Sequence, residues 1–183
     1  ISFGIATGSA LSATITSCTF TGNSCGVSGG ALYVSSGATT TIEDSTFTGN
    51  TAASYGGAVS QQSGVTVNVN RVTFTSNTAT TGAGGYHLAG GATCKTYFSS
   101  CSFVTNSAGA SANGKGGAVY VSTSALAYFT DFYFDGNTGS LANGPDIYFA
   151  SVNTESFASS CSGTENFGTG ILLCYQCSKD YAQ

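Results

Sequence analysis

Apolar and polar positions alternate along the chain, and the alternation recurs with a long period. Five times a Phe is followed three residues later by an Asn, at Phe20/Asn23, Phe47/Asn50, Phe74/Asn77, Phe103/Asn106 and Phe134/Asn137. The steps between these Phe residues are 27, 27, 29 and 31. Five residues before each Phe stand Ile15, Ile42, Val69, Phe98 and Phe129, and two before it stand Cys18, Ser45, Val72, Cys101 and Phe132. The positions between these mostly apolar columns hold Glu43, Asp44, Asn70, Arg71, Ser99, Ser100, Thr130 and Asp131, the in-and-out pattern of a pleated strand. Each Asn is followed, after a variable loop, by a second signature: Gly29-Gly30-Ala31, Gly56-Gly57-Ala58, a degenerate Gly84-Gly85, Gly116-Gly117-Ala118 and a decayed Gly144-Pro145-Asp146. Short apolar segments come next, predicting strands at Leu32 to Val34, Val59 to Gln61, Tyr86 to Leu88, Val119 to Val121 and Ile147 to Phe149.

Each repeat thus reads strand, turn, strand, turn, strand. A period near 27 residues that assigns one residue type to each column fits a coil in which every repeat is a rung. Parallel pairing would stack the rungs ~4.8 Å apart. The expected fold is all-β, a right-handed parallel β-helix of about five to six rungs, forming a rod on the order of 25–30 Å long. Its Phe column should form an internal stack, each buried ring contributing roughly 1.5–3 kcal/mol. Residues 1–160 are expected to form this solenoid, and residues 161–183 a Cys-containing C-terminal cap or the start of a Cys-rich module.

The paired Phe-x-x-Asn and Gly-Gly-Ala motifs resemble the repeats of polymorphic outer membrane proteins, the chlamydial adhesin family, which also occur in surface proteins of algae and other protists. The resemblance covers roughly residues 15–150. It implies a right-handed β-helix on an extracellular surface, in adhesion or in wall and fibre architecture, and carries no catalytic residues with it.

Composition narrows the function classes. Of 183 residues, 7% are charged and the net charge is −4, which removes the basic surface that nucleic acid requires. The 41% hydrophobic content supplies a core, while 26 Gly, 1 Pro and abundant Ser and Thr describe a chain that turns often. No apolar run reaches membrane-spanning length. Seven cysteines in this setting point to an oxidising, extracellular or cell-surface compartment. Cys18 with Cys25, and Cys94 with Cys101, are expected to form local disulfides, leaving Cys161, Cys174 and Cys177 as an odd set. A zinc site is disfavoured, because the sole histidine, His87, lies far upstream of that cluster. No cofactor is expected.

Several columns are candidates for chemistry. The Asn column offers aligned amides of the kind that bind a glycan or metal, but Asn also tolerates left-handed turns and forms ladders between stacked rungs, which is the reading adopted. Asp44 and Arg71 are 27 residues apart and are expected to form a surface ion pair; with Glu43 and Asp131 they are the only candidates for polysaccharide chemistry, and no nucleophile with its base is recognisable. A column of Tyr33, Ser60, His87, Tyr120 and Tyr148 is expected to point outward as a candidate binding surface. Thr19/Thr21, Thr46/Thr48 and Thr73/Thr75 flank successive Phe residues and should form a flat Thr-x-Thr face, a candidate ice-binding surface that fails at Ser102/Val104 and Tyr133/Asp135. The many Ser and Thr residues offer sites for O-glycans.

The chain opens on Ile1 in the middle of a rung, which is expected of a processed chain or a piece of something longer. An uncapped rung invites another chain to add. The expected function is therefore non-enzymatic: an extracellular structural or adhesive module that self-associates, joins neighbouring domains or chains, or binds glycans. Ice binding through the Thr face, and polysaccharide binding or modification, are the alternatives.

Overall fold

In the computed structural model the described residues are 2–3, 11–35, 38–91, 93–109, 114–139, 144–151, 157–163 and 173–177. Strands, all parallel, stack rung on rung in a β-solenoid of about five turns. One sheet joins β1 (Ser2–Phe3), β5 (Leu32–Val34), β9 (Val59–Gln61), β13 (Tyr86–Leu88), β16 (Val119–Val121) and β18 (Ile147–Phe149). The second and largest begins with β2 (Leu11–Thr16), β6 (Ala38–Glu43) and β10 (Thr66–Asn70), continued round a corner by β3 (Thr19–Thr21), β7 (Thr46–Thr48) and β11 (Thr73–Thr75). Further along, single strands β14 (Lys95–Val104) and β17 (Leu126–Asp135) run through that corner, followed by β19 (Phe157–Gly163) and β20 (Leu173–Cys177). The third sheet joins β4 (Ser24–Cys25), β8 (Thr51–Ala52), β12 (Thr78–Ala79) and β15 (Ser107–Ala108).

Register follows the period read from the sequence. Phe20 pairs with Phe47, Phe47 with Phe74, Phe74 with Phe103 and Phe103 with Phe134. The rings stack nearly parallel along this column, with centroids 4.6, 5.1, 4.7 and 5.1 Å apart, close to the strand spacing that sets them. Each stacked pair adds about 0.5–1.5 kcal/mol beyond the area it buries.

At three of the turns in each rung the backbone enters the left-handed region in every repeat. The first holds Ser17, Asp44, Arg71, Ser100 and Asp131, the second Gly22, Gly49, Ser76, Thr105 and Gly136, and the third Gly29, Gly56, Ala83, Gly116 and Gly144, all with φ between 48° and 71°. The second corner corrects the role given to Asn: the left-handed residue is the one before it, which leaves the Asn side chain free to point inward. At the third corner the third repeat matches as Ala83-Gly84-Gly85, one residue earlier than the degenerate Gly84-Gly85 reading. The residue after this corner must be small as well, since a Cβ on Gly30, Gly57 or Gly117 would strike a backbone carbonyl of the next rung.

Inside, the character of the core changes along the rod. Ile15, Ile42 and Val69 give way in the same column to Phe98 and Phe129, and Phe132 takes the place in register with Cys101. A buried polar knot crosses the middle: Gln61 Nε2 donates to the carbonyls of Val65 and Lys95, while its Oε1 accepts from Tyr86 Oη at 2.8 Å and Thr96 Oγ1 at 2.5 Å.

The cysteines differ from expectation. Cys18, Cys25, Cys94 and Cys101 are free thiols. The strand that carries Phe20 separates Cys18 from Cys25 within their rung. Cys94 precedes β14, and an extended strand of six residues puts ~20 Å between it and the corner before Cys101, beyond the roughly 7 Å that a disulfide allows between Cα atoms. Cys161, Cys174 and Cys177 sit on β19 and β20, where only the backbone is described; Cys161 is in register with Cys177 and with Phe132.

Candidate functional site

The inner Asn column is a continuous amide ladder. Asn50 Oδ1 accepts from both the backbone N–H and the side-chain Nδ2 of Asn23, each at 2.9 Å. Asn77 does the same for Asn50, Asn106 for Asn77 and Asn137 for Asn106, at 2.9 to 3.1 Å. The second Nδ2 proton of Asn50, Asn77, Asn106 and Asn137 goes to the carbonyl of Phe20, Phe47, Phe74 and Phe103 in turn, at 2.9 to 3.0 Å. These four Asn side chains are buried, their donors are used and each Oδ1 already accepts two bonds, so nothing is left over for a glycan or a cation. The ladder ends on Asp146, a buried carboxylate whose Oδ1 accepts from Asn137 Nδ2 at 2.8 Å. At the other end Asn23 is exposed.

The tyrosine column is not the open surface the sequence implies. Its side chains do leave the main core, but Ser60, His87 and Tyr120 are buried, and Tyr33 and Tyr148 are half-buried. The cover is a strip of loop residues, Ser28, Tyr55, Gly82 and Lys115, bridged rung to rung just before the third corner. Tyr55 stacks on His87 at 4.7 Å and lies 5.9 Å from Tyr120, and Lys115 Nζ sits 5.6 and 5.5 Å from the rings of Tyr120 and Tyr148. His87 is held between two hydroxyls, Ser60 Oγ at Nδ1 (3.2 Å) and Ser122 Oγ at Nε2 (3.1 Å). Burial lowers its pKa from 6.5 to about 4, so it is neutral near pH 7. Tyr55 and Lys115 lie in loops of variable length, and only lining up the residue before each third corner would have found them.

The Thr columns do face out. Thr19, Thr46 and Thr73 are in register, as are Thr21, Thr48 and Thr75; the first two rungs are exposed and the third is half-buried. Beyond them the columns continue as Ser102 and Tyr133, and as Val104 and Asp135. On the adjoining face Thr14, Thr41, Asn68, Tyr97 and Tyr128 form a column, with Tyr97 and Tyr128 stacked at 4.7 Å.

The carboxylates are engaged. Asp44 takes Arg71 on both oxygens, at 2.6 and 2.9 Å, across two exposed side chains, and the guanidinium bond holds the Asp44 carboxyl below its usual range. Glu43 accepts from Asn70, and Asp131 from Ser100. Burial pushes the thiols of Cys94 and Cys101 up to about 12 and about 11, which keeps them protonated and unreactive. Among the described residues no three His, Cys, Asp or Glu side chains gather as a metal site, and no helix is long and apolar enough to cross a membrane.

This geometry gives the comparison with known proteins its meaning. Residues 17–35 and 44–62 match the Chlamydia polymorphic membrane protein (Chlamydia_PMP) repeat. Both matches start at a first corner, cross Phe-x-x-Asn and Gly-Gly-Ala, and end just after the strand that follows, so each covers most of one rung, from its first corner through β5 or β9, and leaves out the strand that leads to the next first corner. The remaining rungs keep the Phe and Asn columns while their loops lengthen. No curated protein and no solved structure matches the chain.

Proposed function

We propose that the chain is a structural or adhesive module of a cell surface, built to present long outer faces and to associate with itself or with neighbouring chains. One observation carries this reading: the chain has the repeat of a polymorphic membrane protein family, folded as a rod whose polar interior is consumed in holding it together. The same likeness supports a cell-surface setting, and the proposal places the module on its outer side. The reading is non-enzymatic, because the carboxylates of Glu43, Asp44 and Asp131 are each bound to a neighbouring side chain. Light scattering and negative-stain microscopy of the purified chain test it: filaments or ordered multimers, or attachment to cells by coated beads, are expected. A monomer that neither assembles nor attaches would overturn it.

A second reading, ice binding, is favoured by the two outward Thr columns held in register over three rungs. It predicts thermal hysteresis that disappears in Thr46→Tyr or Thr48→Tyr. Polysaccharide binding has less to stand on, since the exposed Tyr97 and half-buried Tyr128 cover each other's ring faces, the surfaces a sugar would stack on.

A further inference from the structure

His87 points away from the main core and is nonetheless only 7% exposed. One side chain accounts for its cover. The loop strip that runs over the outer face of β9, β13 and β16 passes the rung of His87 at Gly82, which brings no side chain of its own. Nor is there room for one, since a Cβ on Gly82 would lie 2.8 Å from Cδ1 of Tyr120 and 3.3 Å from Cδ1 of Tyr55. The place over His87 is filled instead from the neighbouring rung, by the Tyr55 ring, which stacks on the imidazole at 4.7 Å with 23° between the planes. Tyr120, from the rung on the other side, brings its ring to 5.1 Å.

The backbone of the strip is held without help from that ring. Tyr55 O accepts from Gly29 N–H at 3.0 Å, Gly56 N–H donates to Gly82 O at 3.0 Å, Thr81 N–H to Ser54 O at 3.0 Å and Lys115 N–H to Thr81 O at 3.1 Å. The Tyr55 side chain can therefore change rotamer without breaking a backbone bond. The imidazole beneath it is placed to be neutral. Its contacts are the hydroxyls of Ser60 from β9 and Ser122 just after β16, and the rings of Tyr55 and Tyr120. The charged group on this patch is another cation, Lys115, whose Nζ lies 5.6 and 5.5 Å from the rings of Tyr120 and Tyr148. A neutral imidazole donates from one nitrogen and accepts at the other, which two hydroxyls satisfy, whereas an imidazolium would have no carboxylate in contact to offset the loss of water. Burial accordingly lowers the pKa to about 4.

We propose that the Tyr55 side chain is an acid-opened gate, which covers His87 while the imidazole is neutral and swings off to admit water once it is protonated, uncovering Ser60, His87 and Tyr120 on an otherwise intact rod. The uncovered imidazole takes up its proton near pH 6.5 and the covered one near 4, so the open gate gains roughly 60-fold on the closed one between about pH 7 and 4.5.

NMR of the full chain from about pH 7 down to 3.5 tests this. The Tyr55–His87 ring contact, read as a cross-ring NOE, is expected to disappear with the same midpoint as the imidazole titration, while the Nδ2 signals of Asn77 and Asn106 persist and mark the rod as folded. Tyr55→Ala, which removes the gate, should raise the His87 midpoint by about one pH unit or more, a tenfold or larger gain in proton affinity. Tyr55→Phe keeps the ring and should leave the midpoint near 4. The Ala variant would titrate above about pH 5, where the unaltered chain does not, so the comparison holds even if the chain unfolds in stronger acid. A Tyr55 ring that stays on His87 throughout its titration, a midpoint near 6.5 in the unaltered chain, or an unchanged midpoint in Tyr55→Ala would each overturn the proposal.

Discussion

Two kinds of polar column share the rod and its period, the Asn ladder over five rungs and the Thr columns over three, and they do opposite work. The Asn column lies inside, and from Asn50 to Asn137 each amide makes bonds that its neighbour needs. The Thr columns lie outside, and the bond recorded along them joins Thr46 to Thr19 at 3.4 Å, near the limit for a hydroxyl contact. Periodicity alone therefore does not tell structure from function. What separates them is whether a repeated polar group has given up water: a buried amide must be satisfied, whereas an exposed hydroxyl is left available to whatever the surface meets.

The sharpest way to break this contrast is to remove one amide from the middle of the ladder. Asn77→Ala leaves the Phe47 carbonyl and the Asn50 donors unpaired in the core, and a loss of about 3–5 kcal/mol in denaturant unfolding is expected. The His87 site lies between the two extremes, outside the main core yet covered. Its folded pKa of about 4 is below the 6.5 of the free side chain, so the unfolded chain takes up the proton first as pH falls. Its contribution is complete above pH 6.5 and is lost between 6.5 and 4, by roughly 3 kcal/mol, a dependence that His87→Gln should remove from unfolding curves taken across that window. Thr40 tests the rule from the other side, since its buried hydroxyl has no partner. Thr40→Val keeps the shape and should raise stability by about 1 kcal/mol. Smallest is Thr48→Val on the outer face, for which a change within about 0.5 kcal/mol is expected in the same unfolding assay.

The sequence made the rungs legible because stacking forces like residues into register: the five strands expected at Leu32, Val59, Tyr86, Val119 and Ile147 are β5, β9, β13, β16 and β18 with the same limits. The burial of Tyr120 and His87 was not legible. It depends on Tyr55 and Lys115, which reach over the strands from loops whose lengths differ between rungs, so neither period nor alternation marks them. Asp146 escaped for a related reason: in the column it replaces an Ala after the Gly pair, and only the folded chain brings it against Asn137. The thiols misled because spacing along a chain says little about distance when an extended strand lies between them.

Side-chain amide hydrogen exchange, followed by NMR at neutral pH, tests the central claim most directly. The account predicts slow exchange at the Nδ2 protons of Asn50, Asn77, Asn106 and Asn137, and faster exchange at the exposed Asn23. Uniformly fast exchange at all five would contradict it, for the column would then be solvated and the rod would be held by its aromatic stack alone.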